Sequence, residues 1–170
     1  MRLIILTFLL ASSLCEIPSL STFDQERYSG TWYEAARTRN VFPEHADHNK
    51  VVYKLEIPGQ INVTSFLKLP YISYKTPGVL KPEGGVPGRF RYSMQIISYN
   101  TLSTPYYVID TDYDNYSLVY SYTTLENETI QRAWIYVRKI PVDDNLLAFC
   151  IERMENLVGI NKQDFKVTAQ

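Results

Sequence analysis

From Gly30 onward the apolar residues of this chain recur at every second position, in short runs broken by turn residues. That period constrains the fold more than any other feature, because it places alternate side chains on opposite faces of extended strands. In the first run Trp32, Glu34 and Ala36 share one face, and Tyr33, Ala35 and Arg37 share the other. Further runs predict strands over residues 50–57, 61–68, 89–97, 105–111, 115–122 and 131–139. Turn signals such as Pro58-Gly59 and Asp114-Asn115 separate most of them. Many short strands at this spacing imply an antiparallel sandwich or barrel. Residues 69–88 interrupt the pattern with four prolines and four glycines. A continuous central strand is not expected there, since proline has no N–H to give to a ladder. Tyr71, Ile72 and Tyr74 are expected in an edge or bulged strand at most.

Near the C-terminus the period lengthens. Leu146, Leu147, Cys150, Ile151, Met154, Leu157 and Val158 form a stripe at three- and four-residue spacing, which predicts an amphipathic helix. Asp143 or Asp144 can cap its start and Gly159 its end. One such helix cannot cover a sandwich, but it can lie against a barrel. Residues 23–28 predict a single helical turn leading into the first strand, and residues 160–167 a last extended segment. The expected fold is therefore all-β: an eight-stranded antiparallel up-and-down barrel with a C-terminal α-helix packed outside. About eight strands leave either a filled interior or room for one small ligand.

The first fifteen residues read as a secretory signal and not as part of this fold. Met1-Arg2 is a basic start, residues 3–10 are apolar, and Ala11-Ser12-Ser13-Leu14-Cys15 supplies small residues for cleavage after Cys15 or after Ser13. The apolar run falls well short of the ~20 residues of a spanning helix. A secreted, extracellular protein is expected, with one domain over residues 16–170. Asn62-Val63-Thr64, Asn115-Tyr116-Ser117 and Asn127-Glu128-Thr129 match the N-glycan acceptor pattern, which fits a glycoprotein. Cleavage after Cys15 leaves Cys150 alone, whereas cleavage before it permits a Cys15–Cys150 bridge. Without Arg2 the 17 basic residues fall to 16 against 18 acidic ones, a net charge near −2 that excludes a strong field for nucleic acid or anionic lipid.

Three segments carry a family resemblance. Gly30-Thr31-Trp32-Tyr33-Glu34, Thr111-Asp112-Tyr113-Asp114-Asn115-Tyr116 and Trp134-Ile135-Tyr136-Val137-Arg138 resemble, in order, the three signature regions of the lipocalins. Tyr33-Glu34-Ala35-Ala36-Arg37 and Asp110-Thr111-Asp112-Tyr113 are similar to the branch of apolipoprotein D and the bacterial lipocalins. The resemblance implies that Gly30 and Trp32 form the closed end and floor of the barrel. It implies that Thr111, Asp112 and Tyr113 form a turn at that same end, and that Arg138 packs across the tryptophan. A guanidinium on an indole face gains about 0.5–2 kcal/mol. The cysteines of the two disulfides usual in that branch are missing.

Alternation places Glu34, Ala36, Tyr53, Leu55, Phe66, Tyr92, Met94, Tyr107, Ile109, Tyr120 and Tyr136 inward as candidate cavity lining. The family's mouth loop adds Phe42 and His45. A slip at any bulge moves a strand's whole set to the other face. The chain has 14 tyrosines, which offer apolar area plus a hydroxyl and suit an amphiphile or a ring system. An inward Glu34 needs a partner or a proton, because a bare buried carboxylate is costly. Glu44, His45, Asp47 and His48 resemble metal ligands but sit on a loop, where solvation is the simpler reading. Asp110, Asp112 and Asp114 are expected to cap backbone N–H groups of a tight turn. No cofactor motif and no catalytic constellation is present. The chain reads as a carrier of one small hydrophobic or amphipathic molecule: a fatty acid, lysolipid, sterol, retinoid or tetrapyrrole. No nucleic-acid partner is expected, transient contact with a membrane or lipoprotein fits the ligand class, and no protein receptor is named by the sequence. Two other classes stand as alternatives. A lipid-modifying or isomerising enzyme needs an acid, base or thiol in the cavity. A biogenic-amine or protein-binding module needs inward acids near the mouth or a filled barrel.

Overall fold

A computed structural model describes residues 17–57, 59–97, 100–126 and 128–170. The expected signal, Cys15, Pro58 and Asn127 lie outside the described residues. Asp24 caps a single turn, α1 (Gln25–Tyr28), by accepting from the Arg27 N–H. Eight strands follow: β1 (Gly30–Thr38), β2 (Asp47–Ile57), β3 (Gln60–Lys68), β4 (Ser73–Pro82), β5 (Arg89–Ile97), β6 (Asn100–Thr111), β7 (Tyr116–Leu125) and β8 (Glu128–Val137). Each pairs antiparallel with the next, and β1 pairs with both β8 and β2, so the sheet closes into a barrel. Closure leaves no long edge exposed. A ninth short strand, β9 (Phe165–Val167), pairs with Ala36–Thr38 of β1, beyond the stretch where β2 pairs with it.

The helix α2 (Asp144–Val158) is capped by the Asp143 carboxylate at Leu146 N–H and stopped by Gly159 in the left-handed region. Its stripe buries Leu147, Cys150 and Met154 against Ala35, Ala36, Leu118, Ala133 and Ile135 on the outside of the barrel. A second cluster fills the inside with Tyr28, Trp32, Tyr53, Ile61, Leu80, Phe90, Val108 and Val119.

The expectation for residues 69–88 is corrected. β4 is continuous, with eight residue pairs to β3 from Ile61↔Leu80 to Lys68↔Ser73. Pro77 is tolerated because pairing with β5 begins only at Gly78, so β4 has a single ladder neighbour at the proline. Gly78 is needed for a different reason. A Cβ there would meet the Tyr92 ring at 2.5 Å, so the ring lies across the bare backbone.

Bulges change which faces look inward, and two of them bear on the expected inward set. Opposite β8, Glu34↔Tyr136 is followed by Ala36↔Ile135, so β1 carries an extra residue. Opposite β7, Val108↔Val119 is followed by Asp110↔Leu118, so β6 does the same. Ala35 and Ala36 therefore both face α2, and Arg37 turns inward.

Candidate ligand-binding cavity

The closed end is built around Arg138. Its guanidinium carbon lies 3.7 Å from the centre of the Trp32 ring. Its donors reach the carbonyls of Tyr113 (2.9 Å), Thr31 (3.0 Å) and Arg27 (2.7 Å), tying α1, β1 and the β6–β7 turn together. Burial lowers its pKa from the usual guanidinium value, which leaves it charged at any physiological pH. Gly30, at φ +100°, starts β1 with the Arg138 Nη1 only 3.3 Å from where a Cβ would stand. The Trp32 indole N–H donates to the Tyr28 carbonyl at 2.9 Å.

The β6–β7 turn is held by its own side chains. Asp112 Oδ1 accepts from the N–H groups of Asp114, Asn115 and Tyr116, and Oδ2 from the Asn115 amide. Burial pushes the Asp112 carboxyl up, but these hydrogen bonds outweigh it and the pKa is lowered. Thr111 Oγ1 donates to the Tyr116 carbonyl and accepts from Tyr113 N–H. Tyr113, at φ 69°, accepts at its hydroxyl from Asp24 N–H. Asp110 and Asp114 have other roles: Asp110 pairs with Arg153 of α2 at 2.7 Å and Asp114 with Arg27 at 2.8 Å. Two of the N-glycan acceptor amides are engaged, Asn115 with Asp112 and Asn62 with Glu56.

Above this plug the barrel is hollow. A cavity of about 540 Å³ opens at the end where the β1–β2 loop lies, within the ~300–1,000 Å³ typical of sites that bury most of a small ligand. Its walls include Val51, Val63, Leu67, Tyr92, Met94 and Trp134, with Phe42 at the mouth and Phe66 beside it. Tyr53, Tyr106 and Tyr136 line the cavity next to the plug cluster, to which they also belong. The tryptophan expected as the floor lies one layer lower, and the tyrosines present the floor to the lumen.

Glu34 has the partner it needs. Its Oε1 accepts from Arg37 (2.6 Å), Asn49 (3.0 Å) and Thr168 (2.7 Å). Arg37, 2% exposed, spends its other terminal nitrogen on the carbonyls of Pro43, Glu44 and Ala46, which pins the mouth loop. The pair is thus a fastening for the open end. The remaining cations on the lining, Lys50 and Arg132, give the mouth a positive balance, and Arg132 has one terminal nitrogen on Thr123.

Of the inward set drawn from alternation, Glu34, Tyr53, Phe66, Tyr92, Met94 and Tyr136 line the cavity, as does Phe42 of the mouth loop. Leu55 points inward but sits below the floor, packed with the plug. Ala36, Tyr107, Ile109 and Tyr120 are corrections: all four belong to the cluster outside the wall. For Ala36 the cause is the β1 bulge. For the other three, α2 makes the outer face of β6 and β7 apolar too, so Tyr106-Tyr107-Val108-Ile109 and Leu118-Val119-Tyr120 carry no alternation to read. Tyr106, Arg37 and Trp134 were missed as lining. Only the bulge position would have revealed Arg37, while Trp134 shares the parity of Tyr136. His45 is not among the cavity-lining residues, although the neighbouring Glu44 carbonyl is held by Arg37 and by Lys166. Cys150 is free and fully buried on the inner face of α2, outside the barrel wall, and burial pushes its thiol up to about 12.

A barrel sealed at one end by an arginine–tryptophan plug, hollow above it and open at the other end, is the structure of a small-molecule carrier. The family model described as the Lipocalin-like domain matches residues 23–170, and the chain belongs to the lipocalin family. Apolipoprotein D of Macaca fascicularis is 27% identical over 151 residues, covering 88% of this chain and 76% of the relative. Among solved structures, insecticyanin from the tobacco hornworm Manduca sexta superposes with a TM-score of 0.79 at 16% identity, covering 91% of this chain and 85% of that one. Lobster apocrustacyanin A1 gives 0.73 at 21% identity, covering 86% and 79%. These two likenesses are of fold.

Proposed function

We propose that the protein is a secreted, extracellular carrier that shelters one amphipathic small molecule of the fatty acid, lysolipid, sterol, retinoid or tetrapyrrole kind. The observation that carries this reading is the cavity of about 540 Å³, apolar along its walls and sealed below. Removing apolar ligand surface from water gains about 25 cal/mol per Å², and Val51, Val63, Leu67, Tyr92, Met94 and Trp134 offer that burial. Lys50 and Arg132 at the mouth favour a ligand whose polar head is anionic. The rim carries Tyr71 (100% exposed) and Phe42 (91%), which suits brief contact with a membrane or lipoprotein while a ligand is exchanged.

Two features weigh against the alternative classes. The amine reading needs a free acid near the mouth, and Glu34 is already paired with Arg37. The enzyme reading draws strength from a thiol in the barrel, and Cys150 lies outside the wall. The test is a titration of the folded, delipidated protein with a fluorescent fatty acid, a sterol and a tetrapyrrole, with native mass spectrometry for stoichiometry. One ligand of this set is expected to bind one molecule per chain at micromolar concentration or below. Binding of none would overturn the proposal.

A further inference from the structure

The floor of the cavity is polar where a simple fat-binding cup would be bare. Tyr53 of β2 and Tyr106 of β6 join their hydroxyls in a hydrogen bond. These strands are not neighbours in the sheet, so the bond crosses the lumen. Tyr28 supports it from below, with its ring 5.1 Å from that of Tyr53 and its hydroxyl 2.8 Å from Ser117 Oγ. Tyr136 of β8 lines the same level. Two phenols carry two O–H protons, and their mutual bond uses one. The Tyr28 hydroxyl is a further hydrogen-bond partner of both, so the three form one cluster, and Tyr106, half-buried and lining the cavity, presents it to the lumen.

We propose that the Tyr53–Tyr106 bridge is a hydrogen-bonding subsite that takes a neutral oxygen function (a hydroxyl, ketone or aldehyde) carried at the inner end of the ligand. With Lys50 and Arg132 at the mouth, the preferred guest is then polar at both ends and apolar between. The inference rests on the carrier reading and narrows its ligand class. A methyl end pressed on this floor covers the hydroxyl cluster and offers it no hydrogen bond in exchange for water, whereas an oxygen function joins the cluster. Burial pushes the Tyr53 and Tyr106 hydroxyls well above the usual phenol value, so both remain protonated and able to donate.

Palmitic acid and its ω-hydroxy and ω-oxo counterparts differ only at the end farthest from the carboxylate. Each would be titrated against the protein by displacement of a fluorescent fatty acid. The oxygenated acids are expected to bind about tenfold more tightly than palmitic acid. Tyr106→Phe is expected to close that gap by weakening the oxygenated acids and not palmitic acid, and Tyr53→Phe to do the same from the other side of the bridge. Equal affinities in the wild type, or a gap that survives both substitutions, would overturn the subsite and leave the carrier reading standing. Failure of all three acids to bind the folded protein would overturn both.

Discussion

The same strands build both ends of this barrel, yet one end is solid and the other hollow. At the closed end the inward positions hold large side chains: Trp32, Leu55, Ile61, Leu80 and Phe90. Toward the mouth β2, β3 and β4 present Asn49, Ser65 and Thr76, and β6 and β7 add Thr104, Ser121 and Thr123. The lumen is filled or empty according to the size of what points into it. The polar groups differ in the same sense. At the closed end Arg138 and Asp112 spend their hydrogen bonds on backbone groups of α1, β1 and the β6–β7 turn, locking the plug. At the open end Arg37 and Glu34 fasten one loop and the C-terminal Thr168, leaving the centre of the cup free. One end is therefore built for stability and the other for a guest, and substitutions at the two ends should separate those properties.

The largest effect is expected at the plug. Trp32→Ala removes a fully buried ring and the surface on which Arg138 lies, and should cost about 3–5 kcal/mol in urea unfolding. A loss below about 0.5 kcal/mol, the ordinary range for a surface change, would break the comparison. Next comes the fastening of the mouth. Arg37→Met strands the Glu34 carboxylate in a buried site and should cost about 3 kcal/mol. Adding Glu34→Gln to it should restore part of that loss, since the uncompensated charge is then gone. A double variant no more stable than Arg37→Met alone would argue that loop anchoring, not charge, dominates there.

Asp112→Asn should give the smallest effect, about 1 kcal/mol at neutral pH, and sharpens the comparison through its pH dependence. The folded-state pKa of Asp112 is lowered, so its charge contributes stability above the ordinary carboxylate value of about 3.9 and loses it as pH falls through the folded value. The stability gap between wild type and variant should be present at pH 7 and close in acid. A gap that persists there would assign the effect to turn geometry alone.

The closed end was largely legible in the sequence because it is local chemistry. Gly30, Trp32 and Arg138 sit in short motifs, and the aspartates of the turn announce their capping role by type, though Asp110 and Asp114 turned out to serve α2 and α1. The helix was equally plain, since its apolar stripe has a period that no strand shares. The cavity was harder to read. Its lining depends on parity, and parity depends on bulges that leave no mark in composition. Where α2 covers the wall, both faces of β6 and β7 are apolar, and Tyr106 cannot be told from Tyr107 by alternation. The fourth strand was hidden by prolines that are harmful only where a strand has neighbours on both sides.

The chain has two tryptophans, one in each region: Trp32 in the plug and Trp134 on the cavity wall. Binding of a cavity ligand should therefore change the emission of Trp134 and leave Trp32 nearly untouched. In a titration with the fatty acid or pigment that binds, the fluorescence change of the wild type should be lost in Trp134→Phe, while binding itself persists by native mass spectrometry. A change that survives in full in Trp134→Phe would place the ligand somewhere other than the hollow half of the barrel.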